Sequence, residues 1–391
     1  MTWTVDRPRL VAYLEAALPR YLADLALLAG IDSGTFDKPG VDQVAAILGA
    51  RYAAMGATIE QFPDAEFGNA FSARLRGSGP GKVLLVGHTD TVYPLGTAAA
   101  RPLTVDGDRA VGPGSADMKA GDLAIVYALE ALLDQGFGDF ASIVVMHNSD
   151  EEVGSPHSKG TIATLAREAD VALILEAGRE NGDIVSARKG IVDFRLHVRG
   201  RSAHAGANHD RGRSAALELA HLIVALEALN GTIPDVTLNV GRVQAGERIN
   251  VVPDYAFAQF EARAFEIEHL EEMIRSVEET VQHRTVDGTS AELVTVMEHY
   301  PMHRSAGNAR LAVLAQQLAH ELGFSVHDVA TGGASDGNVA AEAGCAVLDG
   351  LGPVGGAAHS PGEYIVISSI VPRTALLAGL VASLGAAVPL S

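Results

Sequence analysis

Val83-Leu84-Leu85-Val86-Gly87-His88-Thr89-Asp90 is an apolar run that ends in a turn with a histidine and an aspartate, side chains of types that often bind metal ions. The run is too short for a lone helix and rich enough in Val and Leu to predict a buried strand. Similar runs occupy 143–147 and 171–175, and apolar residues recur at helical spacing over 118–135. Strands that alternate with helices predict an α/β sheet.

A different pattern begins near Gly190, where Phe194, Leu196 and Val198 alternate with polar residues and predict a half-buried strand. The order strand–helix–strand–strand–helix–strand then predicts a ferredoxin-like α+β domain. Its further elements are a helix over 212–229, strands over 236–243 and 255–265, a helix over 267–283 and a strand over 291–297.

The α/β pattern returns from about residue 306 and ends with a helix over 370–385. We therefore predict a larger α/β domain, residues 1–189 and 303–391, into which a smaller α+β domain, residues 190–302, is inserted. Gly332-Gly333-Ala334-Ser335-Asp336-Gly337 is read as a glycine-rich loop, and it lacks the Lys-Ser/Thr of a phosphate-binding loop.

The bulk composition excludes several classes of protein. The 391 residues are 48% apolar and 20% charged, which predicts packed domains, and the net charge of −19 argues against a nucleic-acid partner. The single cysteine, Cys345, excludes an intramolecular disulfide and fits a cytoplasmic location. We expect no signal peptide at Met1–Pro8 and no membrane span, because no stretch has about 18 uninterrupted apolar residues.

Five separate segments carry side chains that bind metal ions. Carboxylate and imidazole together suit zinc and similar ions, and ligands of open α/β sheets bind beyond the carboxyl ends of the strands. Several of these side chains directly follow an apolar run, so we expect them to converge on a pair of divalent cations. The candidates are His88, Asp117, the pair Glu151 and Glu152, Glu176, and His359.

Each candidate could also have a purely structural role. Taken alone, His88 could be a structural hydrogen-bonding residue, and the two adjacent glutamates could be a solvated pair. Asp117 could be the N-cap of the helix that follows its Gly-Pro-Gly turn. The functional alternative makes Asp117 a bridging carboxylate and lets Asp90 accept a proton from the second ring nitrogen of His88. Of the two glutamates, one would bind metal and the other would take a proton from water.

The ordered motifs together resemble one family of dinuclear-zinc peptidases. The family includes bacterial glutamate carboxypeptidase, which is the closest in pattern, aminoacylase, peptidase T and succinyl-diaminopimelate desuccinylase. The motifs are His88-x-Asp90, Gly112-x-Gly114-x-x-Asp117, Glu151-Glu152, Glu176, Ser202-x-His204 and His359-Ser360-Pro361-Gly362-Glu363.

The resemblance implies a role for each residue of the metal centre. His88 and Glu176 would hold one Zn²⁺, Glu152 and His359 the other, and Asp117 would bridge them, often with a cis peptide bond after it. Glu151 would be the general base and Asp90 the orienting partner of His88. A centre with Co²⁺ or Mn²⁺, or with a single metal ion, is an open alternative, because the order of metal affinities alone does not determine which metal a protein binds in the cell.

The resemblance also implies roles in the inserted domain, which would act as a lid and join two chains in a homodimer. His204 would stabilise the oxyanion in a neighbouring subunit's site, and Asn250 and Arg263 would hold the free carboxylate of the substrate. The alternatives are a surface histidine, a turn-forming asparagine, and an arginine paired with an acid on its strand. Where glutamate-selective relatives carry an Arg before a proline, this chain has His299-Tyr300-Pro301.

These features predict a metal-dependent hydrolase of a small peptide or N-acyl-amino-acid substrate. The amide bond would lie beside a free carboxylate, without an implied glutamate specificity. An N-acyl-amino-acid deacylase, a desuccinylase and a dipeptidase are open alternatives within the same class. A further alternative is a non-catalytic family member that acts as a binding or scaffold protein. Against it, all five candidate metal ligands and the candidate base are present.

Overall fold

The computed structural model describes residues 4–387, so the first three residues of the N-terminal segment lie outside the described residues. The chain forms two compact units. The larger unit contains the described residues up to Ser186, together with Arg304–Ala330 and the residues from Ser335 onward. The smaller unit contains Ala187–His303 and Thr331–Ala334.

The helices and strands are numbered here in chain order. The helices are α1 (Arg7–Ala29), α2 (Lys38–Ala54), α3 (Thr97–Ala100), α4 (Ala120–Asp134), α5 (Lys159–Glu168), α6 (Ala215–Glu227), α7 (Ile267–Gln282), α8 (Ala306–Glu321), α9 (Asp336–Glu342) and α10 (Ile367–Gly385). The strands are β1 (Thr58–Phe62), β2 (Ala70–Arg76), β3 (Lys82–His88), β4 (Thr104–Asp106), β5 (Arg109–Val111), β6 (Ser142–Asn148), β7 (Val171–Ile174), β8 (Ile184–Arg188), β9 (Gly190–Arg199), β10 (Thr237–Ala245), β11 (Tyr255–Ala264), β12 (Ser290–His299), β13 (Asp328–Thr331), β14 (Ala346–Leu348), β15 (Gly355–Gly356) and β16 (Tyr364–Val366).

A six-stranded sheet in the order β1-β2-β6-β3-β7-β14 forms the centre of the larger unit. β3 runs parallel to both β6 and β7, and β14 runs parallel to β7. β6 is buried along its whole length, as expected for a parallel strand covered on both faces. Because β3, β6 and β7 are neighbouring parallel strands, their carboxyl ends lie side by side at one edge of the sheet.

Helices α4 and α10 pack against each other in the core of the larger unit. α10 is long and apolar enough to cross a membrane by length and composition alone, but 78% of its apolar window is buried inside the protein. It also contains the buried Arg373, whose guanidinium donates to the carbonyl oxygen of Gly352 at 2.9 Å. These are features of a core helix.

The smaller unit is an antiparallel sheet in the order β10-β11-β9-β12, covered by α6 and α7. Its element order, β9-α6-β10-β11-α7-β12, is the predicted ferredoxin-like order. α7 buries Leu270, Met273, Val277 and Val281, which repeat at three- and four-residue spacing and so form one apolar stripe. The predicted fold class, α/β with an additional α+β unit, is confirmed.

The bounds of three predicted helices and one predicted loop were wrong. The helix expected over 212–229 spans only Ala215–Glu227. The helix expected over 118–135 begins at Ala120, because Asp117 and Met118 have non-helical dihedral angles inside the turn Ser115–Lys119. The last helix begins at Ile367 rather than at residue 370. Part of the glycine-rich stretch is helical, since Ser335 caps the start of α9 by accepting a hydrogen bond from the backbone N–H of Gly337.

A buried polar network lies directly behind the end of β3. His147 Nε2 is 2.9 Å from the hydroxyl of Tyr52, and its Nδ1 is 3.1 Å from Asp122 Oδ1. All three side chains are fully buried. A Cβ atom on Gly87 would lie 2.3 Å from Asp122 Oδ1, so only glycine fits beside this network. The residue that follows Gly87 is His88, and the network therefore fixes the backbone that carries it.

We expect Asp122→Ala to lower the free energy of unfolding by about 1–3 kcal/mol, because the buried imidazole of His147 loses the carboxylate that lies 3.1 Å from its Nδ1. Denaturant melts of the variant and the unaltered protein measure the difference. The matched control is Glu168→Ala, which removes an exposed pair with Arg74 at 3.3 Å and should cost less than about 1 kcal/mol. Equal stability of Asp122→Ala and the unaltered protein would contradict the importance of the network.

Candidate metal centre

Four of the predicted site residues lie at the carboxyl ends of three neighbouring strands. His88 is the last residue of β3, Glu151 and Glu152 lie in a short turn after β6, and Glu176 follows β7. Since these strands are adjacent and parallel, their ends bring the side chains to one place. Asp117 and His359 reach the same place from loops outside this sheet.

Asp117 faces a histidine with each of its carboxylate oxygens. Its Oδ1 is 3.0 Å from His88 Nε2, and its Oδ2 is 3.0 Å from His359 Nε2. His88 Nε2 is also 3.6 Å from Glu176 Oε1, and His359 Nε2 is 3.1 Å from Glu152 Oε2. The five residues thus form two imidazole–carboxylate pairs that share the carboxylate of Asp117. The peptide bond after Asp117 is cis, as the resemblance implies.

Asp90 supports this arrangement through two different contacts. His88 Nδ1 is 3.1 Å from the backbone oxygen of Asp90 and 3.4 Å from its Oδ1, so the shorter contact is to the backbone. The Asp90 carboxylate accepts hydrogen bonds from the backbone N–H groups of Glu151 and Glu152, each at 3.2 Å. One buried aspartate therefore orients both the histidine and the turn that carries the two glutamates.

Glu363 is a supporting residue to which we assigned no role from the sequence. Its buried carboxylate accepts hydrogen bonds from the backbone N–H groups of Gly114, Ala116 and Asp117, at 3.0, 2.7 and 3.0 Å. The hydroxyl of Tyr93 donates to the same carboxylate at 2.6 Å. Glu363 thus fixes the turn that carries Asp117. The signal in the sequence was its place four residues after His359, in the same motif.

His359 itself has a backbone φ of 62°, in the left-handed region that a histidine seldom adopts. A residue held there costs about 1–3 kcal/mol, and such residues concentrate at functional sites. The next residue is close to the same anchor, because the Tyr93 hydroxyl, which donates to Glu363, also lies 2.9 Å from the backbone oxygen of Ser360. The loop is therefore held in a conformation that brings the imidazole to Asp117.

Burial and mutual repulsion make the glutamates of the centre weak acids. Burial raises the pKa of Glu151 well above its usual range, and the charges of Glu176 and Asp336 add to the shift. Burial likewise raises the pKa of Glu176, with a contribution from Asp117, and it raises the pKa of Glu152 to about 6. Without a cation, this group of acids retains protons that it would release to a positive charge.

The pKa values of the two histidines and of Asp117 are shifted in the direction that favours the charged form of each group. Hydrogen bonds to Asp117 and Glu152 raise the pKa of His359 to about 10. Burial disfavours a charged His88, but its contacts with Asp117 and two other carboxylates raise its pKa well above the usual range. Burial would raise the pKa of Asp117, yet the two histidines outweigh it and hold the pKa well below its usual value. Positive charge is therefore favoured on both sides of Asp117.

The donor set fits divalent cations. One atom each of His88, Asp117 and Glu152 lie within 4.8 Å of one another. Glu152 Oε1 is buried and has no hydrogen-bond partner, which is costly for a carboxylate oxygen unless a cation lies beside it. Imidazole and carboxylate are ligands of zinc, and of manganese and cobalt as well.

The three residues predicted to contact substrate lie in the smaller unit. His204 is exposed, and its Nδ1 accepts hydrogen bonds from the backbone N–H groups of Gly206 and Ala207, both at 3.2 Å. Its loop is adjacent to Asn250, whose backbone oxygen accepts from the N–H of Ala205 at 3.0 Å. The structure brings these two loops together, and the functional roles of both residues stay predictions.

Arg263 forms a two-point ion pair in this structure. Its Nε and Nη2 donate to the two carboxylate oxygens of Glu261 at 2.8 and 2.9 Å, and its Nη1 donates to the backbone oxygen of Gly332 at 2.8 Å. Arg263 is thus paired with an acid on its own strand. This pairing is the structural alternative that the sequence left open beside a role in substrate binding. A substrate carboxylate would have to share the guanidinium with Glu261 or replace it.

The sequence is similar to known metallohydrolases along most of its length. A model of peptidase family M20/M25/M40 matches residues 84–383. Carboxypeptidase G2 of Pseudomonas sp. (strain RS-16) is 29% identical over 373 residues, which cover 94% of this chain and 90% of that protein. Succinyl-diaminopimelate desuccinylase of Nitrosococcus oceani is 28% identical over 343 residues, with coverages of 83% and 89%.

The fold is similar to solved structures as well. The crystal structure of a tripeptidase from Staphylococcus aureus matches with a TM-score of 0.79 at 23% sequence identity. The match covers 94% of this chain and 98% of that one, so the similarity extends over both units. At this level of identity it establishes the shared fold and nothing about the substrate.

We expect metal uptake to release protons, and metal affinity to fall as the pH is lowered from 8 to 6. His359, with a pKa of about 10, is protonated without metal at neutral pH, and Glu152, with a pKa of about 6, gains a proton at the lower end of this range. Both must lose their protons to bind a cation. Titration calorimetry with Zn²⁺ in two buffers of different ionisation enthalpy measures the release. Identical apparent enthalpies in the two buffers would contradict it.

Proposed function

This chain belongs to peptidase family M20/M25/M40, a family of metallopeptidases and amidohydrolases, and we propose that it hydrolyses a peptide or N-acyl bond beside a free carboxylate, as a glutamate carboxypeptidase does. The observation that carries the proposal is the position of Asp117, with one histidine at 3.0 Å from each of its oxygens. A carboxylate shared in this way suits two cations.

The residues divide into two ligand sets. His88 and Glu176 would hold one ion, Glu152 and His359 the other, and Asp117 would serve both. We propose Zn²⁺ for both positions, with Co²⁺ or Mn²⁺ as alternatives that the same ligands accept. When bound, such ions polarise a carbonyl group and lower the pKa of water towards neutrality.

Glu151 is proposed as the general base. Its neighbour Glu152 is engaged with His359 at 3.1 Å, whereas among the described residues no hydrogen bond or ion pair involves the Glu151 carboxylate. Its backbone is held by Asp90, so the side chain is oriented but available. A carboxylate with a raised pKa accepts a proton from water and then hands it to the leaving nitrogen.

The substrate carboxylate is proposed to bind in the smaller unit. Arg263 supplies a planar guanidinium that matches a carboxylate, and Asn250 supplies an amide. Glu261 occupies Nε and Nη2 of that guanidinium, so the substrate carboxylate would share these donors with Glu261 or displace it. The proposed oxyanion role of His204, the homodimer and the cytoplasmic location stay predictions.

We expect Glu151→Gln to keep its metal ions and to lose at least about a hundredfold in kcat, the usual contribution of a general base. Elemental analysis and steady-state kinetics on an N-acyl amino acid are measured on the same preparation. Glu168→Gln, an exposed glutamate, is the matched control and should leave kcat unchanged. A Glu151→Gln protein that retains both metals and most of its activity would exclude Glu151 as the base.

We expect Arg263→Ala to lower kcat/KM by about tenfold or more for substrates with a free carboxylate, because a charge-assisted hydrogen bond is lost. For the same substrates with that carboxylate converted to an amide, Arg263→Ala should lower kcat/KM only slightly. Glu261→Gln, which frees the guanidinium, is the companion variant and should not lower kcat/KM. Equal losses on acid and amide substrates would show that Arg263 acts on the fold of the smaller unit instead.

A further inference from the structure

A cleft of about 520 Å³ borders the metal centre within the larger unit. Three chain segments line it, residues 34–37, 91–95 and 152–153. Glu152, whose Oε2 faces His359 at 3.1 Å, is part of its wall. The cleft and the metal centre therefore share Glu152 as a common wall.

The mouth of the cleft exposes large apolar side chains to water. Phe36 is 67% exposed, Leu95 79%, Val92 41% and Val153 37%. Each such side chain stabilises a complex by roughly 1.5–3 kcal/mol when it becomes buried, so a group of them beside a reactive centre is typical of a binding surface. The wall behind them is ordered, because Tyr93 is held through its hydroxyl by Glu363 at 2.6 Å.

The charged side chains of the cleft disfavour an anionic occupant. Its lining contains two acids, Asp37 and Glu152, and no Lys, Arg or His side chain among the described residues. Nearby Lys38 is engaged with Asn69 at 2.8 Å, and Arg101 lies over the ring of Tyr93, 4.8 Å from its centre. Because a bound cation would offset the charge of Glu152, a carboxylate in this cleft would face the charge of Asp37 and find no cationic side chain in the lining.

We infer that this cleft binds the acyl side of the substrate and selects an uncharged aromatic or branched aliphatic group on the scissile carbonyl. The inference rests on the proposed amide hydrolysis and deepens it. The free carboxylate belongs on the amine side of the bond, away from the cleft. A succinyl group, which carries a second carboxylate, fits poorly, so the desuccinylase alternative is disfavoured.

The first test varies the acyl group and keeps one amino acid constant. The metal-loaded protein is assayed with the N-benzoyl, N-acetyl and N-succinyl derivatives of that amino acid. We expect kcat/KM to be at least about tenfold higher for benzoyl than for acetyl, a usual effect of filling an apolar pocket, and lowest for succinyl. A preference for succinyl, or equal rates for all three, would overturn the inference while leaving amide hydrolysis in place.

The second test changes the cleft. Phe36→Ala and Leu95→Ala should each lower kcat/KM for the benzoyl substrate by several-fold to tenfold more than kcat/KM for the acetyl substrate. Val105→Ala is the matched control, since Val105 is an exposed apolar residue of the same unit, 63% exposed, outside the cleft lining. Equal losses on both substrates, or none on either, would contradict the assignment.

A binding experiment separates failure of this inference from failure of the proposed function. Metal-loaded Glu151→Gln protein is mixed with N-benzoylglycine, and saturation-transfer NMR reports which protons contact the protein. We expect the strongest transfer to the aromatic ring and a marked loss in the double variant Glu151→Gln, Phe36→Ala. Unchanged transfer in the double variant would overturn the inference even if the native protein hydrolysed none of the amides.

Discussion

The carboxylate of Asp117 is the point on which the centre depends, because each of its two oxygens faces an imidazole at 3.0 Å. Its position is fixed from behind by Glu363, which accepts hydrogen bonds from three backbone N–H groups of the Asp117 turn. Several acids crowd around this point in a buried setting, an arrangement that costs free energy without positive charge. The geometry of the larger unit therefore suits cations, and the family to which the chain belongs agrees with that conclusion.

Support for the centre comes from residues that bind no metal themselves. The network of Tyr52, His147 and Asp122 lies behind Gly87, and the Asp90 carboxylate holds the turn of the two glutamates. The hydroxyl of Tyr52 and the carboxylate of Asp122 lie beside opposite nitrogens of His147, so the imidazole is held from both sides. These contacts hold the side chains of the metal centre in fixed positions before a metal ion or substrate binds.

Sequence reasoning predicted the elements that are buried on both faces and missed those defined by contacts between distant residues. β3 and β6 were located within one residue, because continuous apolar runs of this length are typical of strands covered on both sides. β2 was missed, since its Ala, Ser and Arg residues carry little strand signal although most are buried. The role of Glu363 could not be predicted, because its partners in the Asp117 turn lie more than 200 positions away in the sequence. The pairing of Arg263 with Glu261 follows from two-residue spacing on one strand face.

The order of the donors along the chain has a consequence for biosynthesis. His88, Asp117, Glu152 and Glu176 precede most of the smaller unit, whereas His359 follows all of it. During translation the first four donors emerge long before the fifth, and α10, which completes the core of the larger unit, emerges last. Long-range pairing of this kind forms late in folding. In the proposed ligand sets, the three donors of one ion are thus made before the smaller unit, whereas the other ion lacks His359 until the segment after the smaller unit has been made.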